Sequence, residues 1–286
     1  MELSLRKNEK IEFDHVLLDA AVEEQQYSPE QLKYFLITDQ GMFYAQTYLD
    51  GLNKCSWKQP KTFRSEGQRY EIQKSSAASM SYYGETVEWQ LPTEVLHYPA
   101  YWIHQDLAAS FGVVWLKEGE YVEVEHHQNL PLQRNTYHYG VFAGYWHPYI
   151  SPEIAGTHEI SNRIITDLEC HDFPHIFASI DADAPLVITV GRVDHRNNTL
   201  TVADLWIPFG TALYVPPRKA LASDQYWYLH NNRNAAHACF GHKTKKTLQT
   251  QTVLQTEKSY TYWFWNDKRT EHEILPLNPT KIAERT

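Results

Sequence analysis

Leu186-Val187-Ile188-Thr189-Val190-Gly191-Arg192-Val193-Asp194-His195-Arg196-Asn197-Asn198-Thr199-Leu200-Thr201-Val202-Ala203-Asp204-Leu205-Trp206 decides the fold class. Leu186 to Val190 is a continuous apolar run rich in β-branched residues and reads as a strand. His195-Arg196-Asn197-Asn198 is turn chemistry, and Leu200 to Trp206 returns as a second strand.

The same grammar recurs on both sides. Val113-Val114-Trp115-Leu116, then Lys117-Glu118-Gly119-Glu120, then Tyr121-Val122-Glu123-Val124-Glu125 reads as a hairpin, with Glu123 and Glu125 opposite Val122 and Val124. Val87, Trp89 and Leu91 alternate with Glu88 and Gln90, the period of a half-buried strand. Tyr139 to Trp146 is a further strand, as is Thr211 to Val215, which Pro216-Pro217 closes. Ser259 to Trp265 and Glu271 to Leu275 bracket Asn266-Asp267-Lys268-Arg269 as a last hairpin. Helix signals are fewer. Ser28-Pro29-Glu30-Gln31 has the form of a capping box with proline at the first helical position, and predicts a short helix before Gly41. Ser151-Pro152-Glu153 opens a turn at most before Gly156, and residues 160–171 fit a short helix or an edge strand. Residues 1–27 read as a strand and a short helix, Met42 to Leu49 fits either element, and the polar tail after Pro279 reads as frayed.

These elements predict a mainly β chain, an antiparallel β-sandwich or barrel with a few short helices. The 286 residues read as a single domain, or as a helix-containing N-terminal part over 1–92 followed by a β-sandwich or barrel over 93–286. Leu91-Pro92 and Tyr98-Pro99 mark that boundary.

Composition narrows the function classes. The formal net charge of −9 argues against a nonspecific nucleic-acid binder, which needs a basic surface. Lys243-Thr244-Lys245-Lys246 is the one local basic run, and it reads as a solvated loop. Aromatic residues make up 14% of the chain, enough to fill a core with large rings. Three cysteines, at 55, 170 and 239, cannot all pair within one chain, which suggests a reducing compartment. The N-terminus shows no apolar signal core, and no window is long and apolar enough for a membrane helix. The expected setting is cytoplasmic, or that of an effector secreted without a signal, and the expected partner is a small molecule rather than nucleic acid or membrane.

Histidines concentrate between His97 and His175, where nine of the chain's 15 lie. His104-Gln105-Asp106 has the H-x-D form and resembles the facial triad of non-haem iron oxygenases. On an extended strand its imidazole and carboxylate would share a face and could hold one ion. His171, His175 and His195 compete for the third position. His171 and His175 would share a face on a helix, but Pro174 opposes a regular helix there. His171-Asp172 also resembles the HD phosphohydrolases, an all-helical family that does not suit this strand-rich chain. The metal set expected from the sequence is His104, Asp106, His171 and His175, with Fe²⁺ serving an oxygenase or Zn²⁺ a hydrolase acting on a small molecule. The plain alternative is surface and loop histidines satisfied by local hydrogen bonds.

Pro208-Phe209-Gly210-Thr211-Ala212-Leu213-Tyr214-Val215-Pro216 resembles the second conserved motif of cupins, with Leu213 where that motif carries its metal-binding histidine. The resemblance implies a tight turn into a β-barrel strand and no metal ligand. Cys170 beside His171, and Cys55 in Cys55-Ser56-Trp57, are candidate nucleophiles whose plain alternative is a buried thiol. Gly-x-Ser-x-Gly, Gly-x-Gly-x-x-Gly and Walker loops are absent from the sequence, which argues against α/β hydrolases and nucleotide-binding α/β folds.

A rival reading needs no metal. Tyr226-Trp227-Tyr228-Leu229-His230 precedes the polar stretch Asn231-Asn232-Arg233-Asn234. Tyr226, Trp227, Tyr228, His230 and Arg233 would then line a site for a carbohydrate or another small ligand in a non-catalytic β module. Tyr260-Thr261-Tyr262-Trp263-Phe264-Trp265 is read as core on both faces.

Overall fold

The hairpin expected at 186–206 is the spine of the computed structural model. Its strands are β16 (Leu186–Asp194) and β17 (Thr199–Ile207), paired antiparallel from Leu186↔Ile207 to Asp194↔Thr199. Described are residues 4–5, 25–26, 33–63, 66–81, 84–91, 95–125, 137–145, 168–170, 174–179, 185–217, 221, 225–231, 246–254, 262–265, 269–273, 275 and 277. Among them the chain forms 22 strands and one short helix, α1 (Gln105–Ser110), and is mainly β as the sequence predicts.

Three sheets hold most of the strands. One contains β1 (Ser4–Leu5), β4 (Gly41–Ala45), β3 (Tyr34–Thr38), β12 (Glu120–Glu123) and β5 (Asn53–Cys55), in that order. The second runs β11 (Val114–Leu116), β18 (Ala212–Val215), β15 (His175–Ser179), β20 (Lys246–Leu254), β13 (Tyr137–Tyr145), β2 (Gln25–Gln26). The third is built on the spine. Its order is β10 (Ala100–Trp102), β17, β16, β19 (Tyr226–Asn231), β14 (Leu168–Cys170), β21 (Tyr262–Trp265), β8 (Gly84–Gln90), β7 (Gln73–Ser81), with β6 (Gln68–Glu71) also on β17. A separate pair joins β22 (Arg269–His272) to β9 (Val95–Tyr98). Strands from both sides of residue 92 enter the third sheet.

Alternation sorts the side chains into layers. Ile176, Ala178, Ala212, Tyr214, Val114 and Leu116 of the second sheet pack with Phe35, Ile37, Met42, Tyr44, Val122 and Val124 of the first. Phe177, Leu213 and Val215 point the other way, against Ile188, Val190, Ala203, Leu205 and Ile207 of the spine. Over β11, β18 and β15 the second sheet is therefore a middle layer, apolar on both faces, and α1 adds Leu107, Ala108 and Phe111 to its core with the third sheet. At about 25 cal/mol per Å² of apolar area withdrawn from water, these two interfaces are the main stabilising term.

Several local expectations change in this setting. The helix signal at Ser28 lies outside the described residues, and Tyr34 to Thr38, into which that helix would run, forms β3; Tyr-Phe-Leu-Ile-Thr is aromatic and β-branched, and Phe35, Leu36 and Ile37 are all buried. Asp39-Gln40 turns β3 into β4, so Gly41 to Ala45 is strand. The strands at 114–116 and 120–123 exist, yet they do not pair with each other. β11 pairs with β18 and β12 with β3 and β5, so Lys117-Glu118-Gly119 carries the chain from one layer to the next. Gly119 has φ +83 and donates its N–H to the Ile37 carbonyl, which fixes the crossover. β21 and β22 likewise form no hairpin: β21 lies between β14 and β8, and β22 runs parallel to β9. The turn ahead of β18 forms as the cupin-like motif implies, with Gly210 at φ +81 and the Thr211 hydroxyl donating to the Pro208 carbonyl at 2.7 Å. The helix signal at Ser151, the 243–245 part of the basic run and the tail after Pro279 lie outside the described residues. No helix among the described residues is long and apolar enough to cross a membrane.

Candidate functional site

Strand β19 carries the aromatic stretch, and its alternation divides that stretch in two. Tyr226, Tyr228 and His230 face the middle layer and α1, whereas Trp227 and Leu229 pack with Val193, Leu200 and Val202 on the opposite face. Trp227 lies edge-on to His195 at 4.4 Å between ring centres. The three rings are thus not one platform. Arg233 lies outside the described residues.

On the inner face, Tyr228 is the register partner of Arg192 in β16. Arg192 is only 8% exposed, the one cation in a strand that is mostly apolar. Its Nη1 donates to the Ser110 carbonyl at 2.8 Å, at the C-terminal end of α1, where a positive charge is favoured. Around it stand Phe63 (guanidinium carbon 4.0 Å from the ring centre), Phe111 and Tyr226 (each 5.8 Å). No carboxylate lies within ion-pair distance of it among the described residues. Taking an ion out of water costs several kcal/mol even after relaxation. One charge-assisted hydrogen bond returns about 1.5–3 kcal/mol and a desolvated ring contact about 2 kcal/mol. Burial accordingly pulls the Arg192 pKa down, against the opposing pull of Tyr228, Tyr226 and Asp194; the group stays charged all the same.

The Tyr228 ring packs edge-on to Trp57 at 5.4 Å, and Trp57 is tied to α1 through Nε1–H to the Ala109 carbonyl at 3.0 Å. Its other neighbour is Gly112, at φ +76, where a Cβ would come within 2.4 Å of the ring. The Tyr228 hydroxyl is buried and has no hydrogen-bond partner among the described residues. Burial raises its pKa, and Arg192 opposes the rise. Tyr228 and His230 line a small cavity with Phe111, Gly112, Val215 and Cys170. Its free space, measured to the centre of a water-sized sphere, is about 10 Å³, the room one water needs.

The structure also brings together two residues that the sequence assigned to different sites. His175 starts β15 with its ring toward the third sheet and meets His230 at 5.2 Å between ring centres, with Phe177 beside both. Both imidazoles are buried, at 0% and 2% exposure. Glu169 is the register partner of His230 across β14 and β19.

His104 and Asp106 are placed elsewhere, and not on a strand. His104 is the N-cap of α1, its Nδ1 accepting the Leu107 N–H at 3.3 Å, and Asp106 is exposed in the first helical turn. Residues two apart on a helix do not face each other, so the geometry assumed for H-x-D is not formed. An imidazole whose Nδ1 accepts a hydrogen bond carries its proton on Nε2, so capping and ligation through Nε2 compete. Phe111, at the cavity, lies at the other end of α1, roughly 10 Å along the axis from His104. His171 lies outside the described residues. Among the described residues no group of three or more His, Cys, Asp or Glu is positioned to hold a metal ion.

Cys55 and Cys170 form no disulfide, and Cys239 is outside the described residues. Burial, aided by Glu120, pushes the Cys55 thiol up to about 11, opposite to what a nucleophile requires. Sequence reasoning passed over Arg192, Trp57, Phe63 and Gly112. A signal existed for Arg192, a lone cation inside an apolar strand. None existed for the others, because their role depends on which element covers β19. Compared with family models, curated proteins and solved structures, the chain matches none.

Proposed function

We propose that this chain is a small-ligand-binding β protein whose site is the inner face of β19, at Tyr226, Tyr228 and His230, where it meets the α1–β11 junction. The observation that carries the reading is the Tyr228 hydroxyl: buried, on a cavity-lining residue, and without a protein partner among the described residues. Groups of this kind are uncommon in folded proteins and call for a bound polar atom. Rings on both sides suit a flat or apolar ligand body. The reading is tested by intrinsic fluorescence against a panel of sugars and metabolites. Trp57 touches Tyr228, so a ligand here changes its emission; the signal should vanish in Trp57→Phe, weaken in Tyr228→Phe and persist in Trp227→Ala, on the other face. A response that depends on Trp227 but not on Tyr228 would refute this placement.

A second reading, a divalent-metal enzyme, is favoured by the His175–His230 contact. A pair of imidazoles suits Fe²⁺ or Zn²⁺. Elemental analysis of unsupplemented protein tests it. About one equivalent of metal, lost in His230→Ala and retained in His104→Ala, is expected; metal-free protein whose melting temperature ignores added Fe²⁺, Mn²⁺ and Zn²⁺ ends it.

A further inference from the structure

We infer that the ligand of the β19 site carries a carboxylate and that Arg192 is its anchor, with Tyr228 as second donor. The inference rests on the ligand-binding reading above and adds the chemical class. Arg192 and Tyr228 are register partners on one face, 8% and 5% exposed. The guanidinium offers five N–H donors, and Ser110 accepts from Nη1 alone; the rings of Phe63 and Phe111 supply no conventional acceptor, and Tyr226 brings one hydroxyl oxygen. The Tyr228 hydroxyl is a further donor without a protein acceptor among the described residues.

Polar capacity on this face is therefore weighted toward donors next to a positive charge, and its complement is an acceptor-only anion. The nearest acid along the same strand is Asp194, and it does not fill that role. Its carboxylate already accepts from the Arg196 N–H at 2.9 Å, the Asn197 N–H at 3.3 Å and the Asn197 side-chain amide at 2.6 Å in its own turn. Phe111 and Tyr228 belong both to the cavity wall and to the surroundings of Arg192.

The test uses the intact wild-type chain. The Arg192 Nε–H resonance is assigned by its loss in Arg192→Lys, then followed by nitrogen-edited NMR during titration with sodium propionate, propionamide and sodium sulfate. Propionate is expected to shift the resonance saturably, and propionamide, its neutral isostere, to leave it unmoved. Tyr228→Phe should weaken propionate about tenfold, as loss of a charge-assisted bond does. If propionamide acts as well as propionate, the carboxylate is overturned while the ligand site stands. If sulfate binds as well as propionate, the site is a general oxyanion site and the carboxylate assignment falls. If none of the three moves Arg192, the anchor is overturned, and the ligand site is judged separately by the fluorescence panel.

Discussion

Gly112 lies against the ring of Tyr228 so closely that a Cβ on the glycine would sit 2.4, 2.6 and 2.7 Å from three of its carbon atoms. The contact joins the end of α1 to β19 and sets the position of the tyrosine in the candidate site. Gly112→Ala must therefore displace the ring as well as strain a backbone at φ +76, for a cost of about 2–4 kcal/mol. Gly119 has φ +83 but open space around it, so Gly119→Ala should cost only the strain, about 1 kcal/mol. Urea unfolding of both variants separates the terms. Equal losses would show that the ring contact is not tight.

Two tyrosines make opposite predictions for the same substitution. Tyr214 accepts the Glu125 N–H at 3.0 Å inside the first interlayer core, so Tyr214→Phe leaves that donor unsatisfied and should cost about 1 kcal/mol. Tyr228→Phe removes a buried hydroxyl without a protein partner among the described residues and should leave stability unchanged or slightly raised. Denaturant midpoints compared at constant m-value decide it; a large loss at Tyr228 would reveal a protein partner for that hydroxyl.

Cys55 supplies a prediction at alkaline pH. Folding raises its thiol from 9.0 to about 11, so the folded chain holds a proton that the unfolded chain releases first. Stability from this thiol is present below about 9 and is lost as pH rises toward 11. The stability difference between wild type and Cys55→Ser should change over that window and stay flat below it. In a chain carrying Cys170→Ser and Cys239→Ser, alkylation at pH 7.5 should be much slower than for an ordinary thiol. Fast labelling at neutral pH would contradict the burial.

Asp194 works in the acid direction. Burial pushes its carboxyl up, but the Asn197 side chain and the backbone N–H groups of Arg196 and Asn197 outweigh it, so the net shift is downward. A group lowered by folding stabilises above its unfolded pKa and loses that contribution as pH falls through the folded value. Asp194→Asn should cost about 0.5–1 kcal/mol at pH 7 and nothing near pH 2. Acid titration of both chains by circular dichroism checks the convergence; a gap that persists at pH 2 would point to packing rather than charge.

Elements whose signals are local were legible before any packing was known. Leu186 to Trp206 folds as the β-branched runs and the Asn197-Asn198 turn demand, and the alternation of Val122 and Val124 with Glu123 and Glu125 places each residue on its observed face. Period two is a property of the strand itself, so it survives whatever packs around it. Partner choice is not local. The stretch 113–125 reads as a hairpin because a short glycine turn joins two strands, yet burial of Val114 and Leu116 in one layer and Val122 and Val124 in the next makes the turn a crossover. That His104 caps a helix instead of sharing a strand face with Asp106 follows from packing of α1 against distant strands. The inner face of β19 was likewise decided by packing. Spacing puts Tyr226, Tyr228 and His230 on one side, but that Arg192 stands opposite Tyr228, and that His175 arrives from another sheet to meet His230, follow from strand order and layer stacking. Those arise from burying many apolar faces at once, which no short stretch of sequence encodes.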